Sequence, residues 1–323
     1  MRTVDLLVVG AGPAGLCAAQ YGARGACRVL VAEMASAGGE MLNIDRLENY
    51  PGCRADRGAA LAETMREQAA EAGAEFIAGK VRSLAEDGTG GFVLGFDDYG
   101  WPAAPDGGIR AGALIIAAGA DRKRLGVPGE ADLYGCGVSY CAACDGPFFR
   151  NKKIFVVGGG DAACDEARFL ARIGSDIQLV HRRGAFRAQA AVADRVLKTR
   201  AVKVRFNTAL IEIRGSEKVE SVVLQDTQSG KTSEESADAV FIFAGIRPRS
   251  ELAASAALAV RPVLDAAGFI VTDQRMATAA PGIFAAGDVR VSPFRQVVTA
   301  AGDGAIAAHS AAEYLEGGGR GGR

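Results

Sequence analysis

Two Rossmann-like dinucleotide-binding units, one inserted into the other, are the α/β fold that the sequence predicts, and three observations carry the prediction. A glycine turn between an apolar strand and a helix, Gly10-Ala11-Gly12-Pro13-Ala14-Gly15, recurs with one change as Gly158-Gly159-Gly160-Asp161-Ala162-Ala163. An apolar run entering a small glycine-containing turn closes each unit, at Ala113 to Gly119 and again at Ala239 to Gly245. Beyond the second closure, Gly282 to Asp288 is a strand leading to a glycine and an acid, as though the first unit resumed. The expected divisions are residues 1–118, 119–246 and 247–316, with a flexible glycine-rich tail over 317–323.

Val4 to Val9 is rich in β-branched residues and reads as the first strand. It enters the Gly10 turn, and a helix-compatible stretch runs from Leu16 to Arg24. In such a turn the first glycine permits the bend, the second lets backbone approach a pyrophosphate, and the third lets helix and strand pack closely. Gly10, Gly12, Pro13, Ala14 and Gly15 are therefore cofactor-binding candidates, with helix amides meeting the phosphate charge. Arg28 to Ala32 forms a second strand ending at Glu33, 18 residues beyond Gly15, where a carboxylate takes adenosine ribose hydroxyls. Asp56 to Ala72 has helical composition, and Phe76 to Ile77 and Phe92 to Phe96 are strand-like. Between Asp97 and Gly108, glycines and prolines predict a hairpin or surface loop in which Trp101 is a packing anchor.

Cys141-Ala142-Ala143-Cys144, followed by Asp145, lies between the two glycine turns. This spacing could supply half of a zinc site, but no second pair completes four ligands, and no metal is expected. A dithiol in that position fits disulfide exchange, with electrons passing from a pyridine nucleotide through a flavin. The other cysteines are 17, 27, 53, 136 and 164, making an odd total of 7 in a chain without a secretion signal, which argues against a structural disulfide framework. Cys17 and Cys164 fall in the helices after the glycine turns, where a small thiol fills core space.

Lys153 to Val157 is the next strand, and the second glycine turn leads into a helix to about Ile173, making Gly158, Gly160, Asp161 and Ala163 candidates for a second nucleotide. Ile177 to Val180 then ends in His181-Arg182-Arg183, with Arg187 following, where the first unit has Glu33. A carboxylate repels a 2'-phosphate and guanidinium groups bind it, so this unit is expected to prefer NADPH to NADH. A solvated surface cluster is the competing reading. In the resuming segment, Asp288 suits a flavin ribityl hydroxyl, and a helix from Gln296 to Ala308 points an N-terminus at the cofactor.

A formal net charge of -1 over 323 residues predicts no affinity for nucleic acid or acidic membranes. No apolar run approaches the roughly 20 residues of a spanning helix, and no basic leader precedes the first strand, so a cytoplasmic chain is expected.

Taken in order, Gly10 to Gly15, Gly38-Gly39, Glu48-Asn49-Tyr50-Pro51-Gly52, Gly137 to Gly146 around the cysteines, Gly158 to Asp161, His181 to Arg183 with Arg187, and Gly287-Asp288-Val289-Arg290 with Arg295-Gln296-Val297 resemble the low-molecular-weight, bacterial-type thioredoxin reductases over essentially the whole chain. The resemblance implies an FAD domain from the first and last segments, an NADPH domain inserted into it that carries the cysteine pair, and a homodimer. It adds Gly39, Glu40, Asn49, Arg295, Gln296 and Val297 to the cofactor-binding candidates. It casts Cys144 as the thiol against the flavin, Cys141 as the thiol that attacks a thioredoxin disulfide, and Asp145 as a proton carrier. It also implies two domain orientations, with Ala118 to Arg124 and Gly245 to Arg249 as hinge strands.

Five positions depart from the family's commonest pattern. Cys136 replaces a basic residue, Glu40 a glutamine, Ala118 a threonine, and Arg249-Ser250 an Asn-Thr pair. Another small redoxin or a peroxiredoxin is the alternative substrate, although relatives serving peroxide reduction usually carry an extra N-terminal redoxin domain. Ferredoxin-fed relatives lose the nucleotide features, and reductases of ferredoxin or flavodoxin lack CxxC. A non-catalytic redox sensor would leave two dinucleotide sites and a dithiol unused. Phe148-Phe149, just past the motif, is a candidate partner contact, with core packing as the competing reading.

Overall fold

The computed structural model describes residues 1–44, 47, 49–53, 57–97, 108–174 and 176–318. The expectations for Trp101 and its loop, for Glu48, and for the tail beyond residue 318 lie outside the described residues. The chain divides into two compact units, residues 1–121 with the segment from 247 onward, and residues 122–246.

In the first unit Arg2–Val9 lies between Val29–Glu33 and Ile109–Ile116, parallel to both. Leu6, Leu7 and Val8 are fully buried, because a parallel strand covered on both faces has no solvent side. Phe92–Phe96 and Val81–Glu86 extend this sheet antiparallel. Ile283–Ala285 pairs parallel with Ile109–Ile116, so the C-terminal segment does return to the first sheet. The first helix spans Pro13–Arg24 and starts earlier than Leu16, with Gly12 as its N-cap. Proline is tolerated there because its fixed φ suits the first turn and its missing N–H would have no intrahelical partner. The last helix, Val297–Glu316, runs well past Ala308.

The second unit holds a 5-stranded sheet ordered Val202–Arg205, Asp176–Val180, Lys153–Gly158, Ala239–Phe243, Val138–Ser139. All its pairings are parallel. The helix after its glycine turn, Asp161–Leu170, ends before Ile173. A 3-stranded antiparallel sheet, Thr208–Arg214, Ser221–Asp226 and Thr232–Ser236, packs Leu210, Ile213, Val222 and Leu224 beneath Phe155 and Val240. Where the chain passes between units, Ala120–Arg122 pairs with Ile246–Pro248.

Close approach of the first and last helices sets the geometry of the first unit. A Cβ on Gly304 would stand 2.1 Å from the Ala14 carbonyl oxygen, whereas one on Gly302 would meet nothing within 4 Å. Gly304→Ala should therefore cost about 1–3 kcal/mol by forcing the helices apart, while Gly302→Ala should be neutral or slightly stabilising through helix propensity. Thermal melts of the two variants check this, and equal melting temperatures would contradict the packing.

Candidate functional site

At the first glycine turn, each glycine meets a different constraint. A Cβ on Gly15 would lie 1.8 Å from Gly10 O, and one on Gly10, where φ is +102°, would lie 2.5 Å from Ala117 O. Those two glycines are therefore fixed by contact between strand, turn and helix. Gly12 has nothing within 4 Å of its Cβ position, leaving an open cradle over the helix N-terminus. Gly39 closes one side of it, its Cβ position 3.2 Å from Gly12 Cα. Glu33 accepts from the Ala11 N–H at 2.7 Å and the Ala35 N–H at 2.9 Å. Two of the roughly four acceptor directions of its carboxylate are thus used, and the rest are free for hydroxyls.

The resuming segment completes this cradle. Gly287, with φ of +76°, sits where a Cβ would be 2.9 Å from the Ala14 side chain. Its N–H and the Arg290 guanidinium both donate to Asp303 on the last helix, at 3.2 and 3.0 Å. Asp288 lies between Gly287 and Arg290 in the chain; burial pushes its pKa up, Arg295 opposes this, and Glu40 and Asp303 add to it. The Arg295 guanidinium stacks 4.3 Å from the Phe269 ring centre. Asn49 donates to Gln296 Oε1 at 2.7 Å, joining two predicted site residues from opposite ends of the chain. Gln296 and Thr299 form a capping box, and Val297 packs half-buried behind it. Glu40 is exposed on the Gly39–Asn43 turn and accepts from Asn43 at 3.4 Å.

The second turn repeats the first with other contacts. A Cβ on Gly158 would lie 2.5 Å from Phe243 O and 2.6 Å from the Ala163 Cβ, and Gly160 is open as Gly12 is. His181 lies beneath the turn, so that a Cβ on Gly159 would fall 2.3 Å from its ring. His181 is buried, its Nε2 has no hydrogen-bond partner among the described residues, and burial first and then the neighbouring arginines pull its pKa down. Arg182, Arg183 and Arg187 are exposed at the end of Asp176–Val180, and the Arg187 N–H donates to Gly159 O at 2.7 Å. None of their guanidinium groups has a carboxylate partner among the described residues. Asp161 spends both oxygens on Gln189, at 2.7 and 2.6 Å, which ties the turn's helix to the next one.

The cysteine motif leaves the carboxyl end of the edge strand Val138–Ser139, with Cys144 in the short helix Ala142–Asp145. Cys141 is disulfide-bonded, whereas Cys17, Cys27, Cys53, Cys136 and Cys164 are in no disulfide. Ser139, which sequence reasoning passed over, is buried and accepts from the Cys141 N–H at 3.0 Å. Its hydroxyl donates to Asp145 Oδ2 at 2.6 Å. Tyr140 points the other way and donates to the buried Glu130 at 2.5 Å, and Glu130 also accepts from the N–H groups of Leu125 and Gly126. A serine two positions before the first cysteine was the signal available for this frame, since its hydroxyl reaches backbone two residues on. Of the phenylalanine pair, Phe148 is 79% exposed, but Phe149 packs edge-to-face on Phe241 and belongs to the core.

Known proteins resemble this chain in sequence and fold. Residues 4–304 match the pyridine nucleotide-disulphide oxidoreductase family. The thioredoxin reductase of Treponema pallidum is 46% identical over 97% of this chain and 97% of its own. That of Bacillus subtilis is 41% identical over 98% of this chain and 96% of its own. Among solved structures, Lactococcus lactis thioredoxin reductase (FR conformation) superposes with a TM-score of 0.90 at 38% identity, covering 97% of this chain and 99% of that one.

The environments of the free thiols predict their reactivity. Burial pushes Cys17 up to about 11 and Cys164 up to about 12, leaving on the order of a thousandth or less of either as thiolate at pH 8. Iodoacetamide on the native protein at that pH should label exposed Cys136 and spare Cys17 and Cys164 until denaturation. Peptide mass mapping reads the outcome, and native labelling of Cys164 would contradict its burial.

Proposed function

The chain belongs to the pyridine nucleotide-disulphide oxidoreductase family, in its thioredoxin reductase branch of enzymes using FAD and NADPH, and from that premise we propose that Cys141 and Cys144 form the dithiol through which it reduces the disulfide of a thioredoxin. The observation that carries this reading is the state of Cys141, disulfide-bonded while five other cysteines are in no disulfide. Its position at the carboxyl end of a parallel sheet, the end where the Gly158 turn also lies, supports it further, because ligands of such sheets bind there.

The residues present fit both cofactors. The open Gly12 cradle, Glu33, Gly39, Asn49, Asp288 and the Gln296 helix end would hold FAD. The open Gly160 turn and the three arginines, without carboxylate partners among the described residues, would hold NADPH, the guanidinium groups taking its 2'-phosphate. FAD, when bound, supplies the two-electron relay between NADPH and the dithiol.

In the reduced protein the Cys141 thiolate attacks one sulfur of the substrate disulfide, a mixed disulfide forms, and the expelled substrate thiolate takes a proton. Cys144 then attacks the Cys141 sulfur, which closes the protein disulfide and releases the second substrate thiol. Two electrons and two protons reach the substrate, and in this reading Asp145, whose carboxyl accepts from Ser139, carries a proton. The outer role of Cys141 is consistent with a docking partner that meets exposed Phe148.

Homodimeric assembly and a cytoplasmic location belong to the same proposal. Free thiols suit a reducing compartment, and among the described residues no helix is long and apolar enough to cross a membrane. The same chemistry would serve another small redoxin or a peroxiredoxin, and the exposed Cys136 is the feature on which that second reading rests.

Cys141→Ser or Cys144→Ser should abolish thioredoxin reduction and leave bound FAD reducible by NADPH, as read by bleaching of the flavin spectrum. Cys144→Ser should also trap a mixed disulfide through Cys141 with a thioredoxin lacking its resolving cysteine. Linkage through Cys136 instead would sink the assignment. Arg182→Ala with Arg183→Ala should raise the KM for NADPH by roughly two decades and leave NADH use nearly unchanged, because each lost charged hydrogen bond is worth about 1.5–3 kcal/mol. An unaltered NADPH KM would refute the phosphate site.

A further inference from the structure

The residue two positions before the outer thiol carries an inference that rests on the dithiol reading above. Ser139 lies at the carboxyl end of the edge strand, its register with Phe241 placing its side chain on the face that carries Ala142 and Phe241 in the core. It is 2% exposed, so water does not compete for its hydroxyl. That hydroxyl has one hydrogen and two acceptor directions. The hydrogen has two candidate acceptors, Asp145 Oδ2 at 2.6 Å and the Cys141 carbonyl at 3.3 Å. The shorter, charge-assisted bond to the carboxylate dominates. One acceptor direction takes the Cys141 N–H at 3.0 Å. Asp145 returns its own N–H to the Cys141 carbonyl at 3.1 Å, which closes a ring of hydrogen bonds through Cys141, Ser139 and Asp145.

We propose that Ser139 is a positioning residue for thiol exchange, holding the Asp145 carboxylate and the Cys141 backbone in one hydrogen-bonded frame. A buried hydroxyl that only ended the strand would need just one backbone partner. This one joins the backbone of one reactive residue to the side chain of another. Its neighbours limit escape. Gly146, next to Asp145, sits where a Cβ would be 2.9 Å from both Leu170 and Ile173, so the backbone after the acid is pressed against the Asp161–Leu170 helix. On the other side Tyr140 is anchored on Glu130 at 2.5 Å. With the backbone fixed at both ends, the remaining freedom of Asp145 is side-chain rotation, which the Ser139 hydroxyl restrains.

The test measures NADPH-to-thioredoxin turnover, and separately the bleaching of bound FAD by NADPH, in Ser139→Ala, Ser139→Thr, Asp145→Asn and the Ser139→Ala/Asp145→Asn double variant. Ser139→Ala should lower kcat about tenfold or more, with the thioredoxin KM little changed and the loss confined to thiol exchange. Ser139→Thr, which keeps the hydroxyl, should recover most of the rate. In the Asp145→Asn background, Ser139→Ala should add little, since Ser139 acts through the Asp145 carboxyl and Asn has already removed it. Wild-type kcat in Ser139→Ala, no recovery in Ser139→Thr, or independent losses in the double variant would overturn the positioning role while leaving the dithiol reading intact. Wild-type turnover in Asp145→Asn would remove Asp145 from the mechanism and Ser139 with it, an outcome visible in that variant alone. Should Ser139→Ala not fold, Asp145→Glu carries the acid one methylene past the hydroxyl and should lose turnover to a similar degree; wild-type turnover there would also overturn the proposal.

Discussion

Both nucleotide turns depend on backbone coming closer to backbone than a side chain allows. Gly15 against Gly10 O at 1.8 Å, and Gly158 against Phe243 O at 2.5 Å, are distances measured to a Cβ that is not there. Any larger residue would push the helix away from its strand, and with it the unpaired amides of the helix N-terminus. The close approach spreads outward in the first unit. Because the Pro13–Arg24 helix is drawn down onto its strand, the last helix must reach it over Gly304, and the Asp288 loop must turn over Ala14 at Gly287. The sequence-distant segment from residue 283 is thereby seated on the sheet strand Ile109–Ile116 and beside the first turn.

Within this shared frame, one position separates the two units electrostatically. The strand after the first turn ends in Glu33, whose carboxylate is held by two backbone N–H groups and offers acceptors. The matching strand in the second unit ends in His181 followed by exposed arginines, which offer only donors. Burial first and then the arginines beside it pull the His181 pKa down, which disfavours a charge in the space it fills under Gly159. The same backbone scaffold thus presents hydrogen-bond acceptors at this place in one unit and donors in the other.

What the sequence made legible was local and contiguous. Gly10 to Gly15, Gly158 to Ala163 and the strands before them are dense signals, because turn, close approach and helix start all act within six residues. The return of 283–285 to the first sheet was legible as well, since the Gly287-Asp288 motif echoes an expected role. Other features depend on contacts between distant residues and left little pattern. The antiparallel sheet from Thr208 to Ser236 carries charged residues on its open face, and its alternation is broken where the register shifts between Leu210 and Glu212. The early start of the first helix was hidden by proline, which breaks helices in their interior and begins them at their first turn. Phe148 and Phe149 look alike in sequence, and only the edge-to-face contact with Phe241 separates a core ring from an exposed one. Ser139 gave a signal too common to single out, as serine before a turn is ordinary.

The cysteines show why environment outweighs count in this chain. Cys164 and Cys141 each lie close to a helix start at the carboxyl end of the same parallel sheet, yet they face opposite conditions. Cys164 is on the inner face of Asp161–Leu170, fully buried, where desolvation suppresses the thiolate. Cys141 follows an edge strand of only two residues, so the chain leaves the sheet before the core closes over it. A longer edge strand would carry Cys141 into the sheet and cover its sulfur. The shortness of Val138–Ser139 therefore leaves Cys141 outside the ladder, and the hydrogen bonds of Ser139 to the Cys141 N–H and to Asp145 continue the order where so brief a ladder stops.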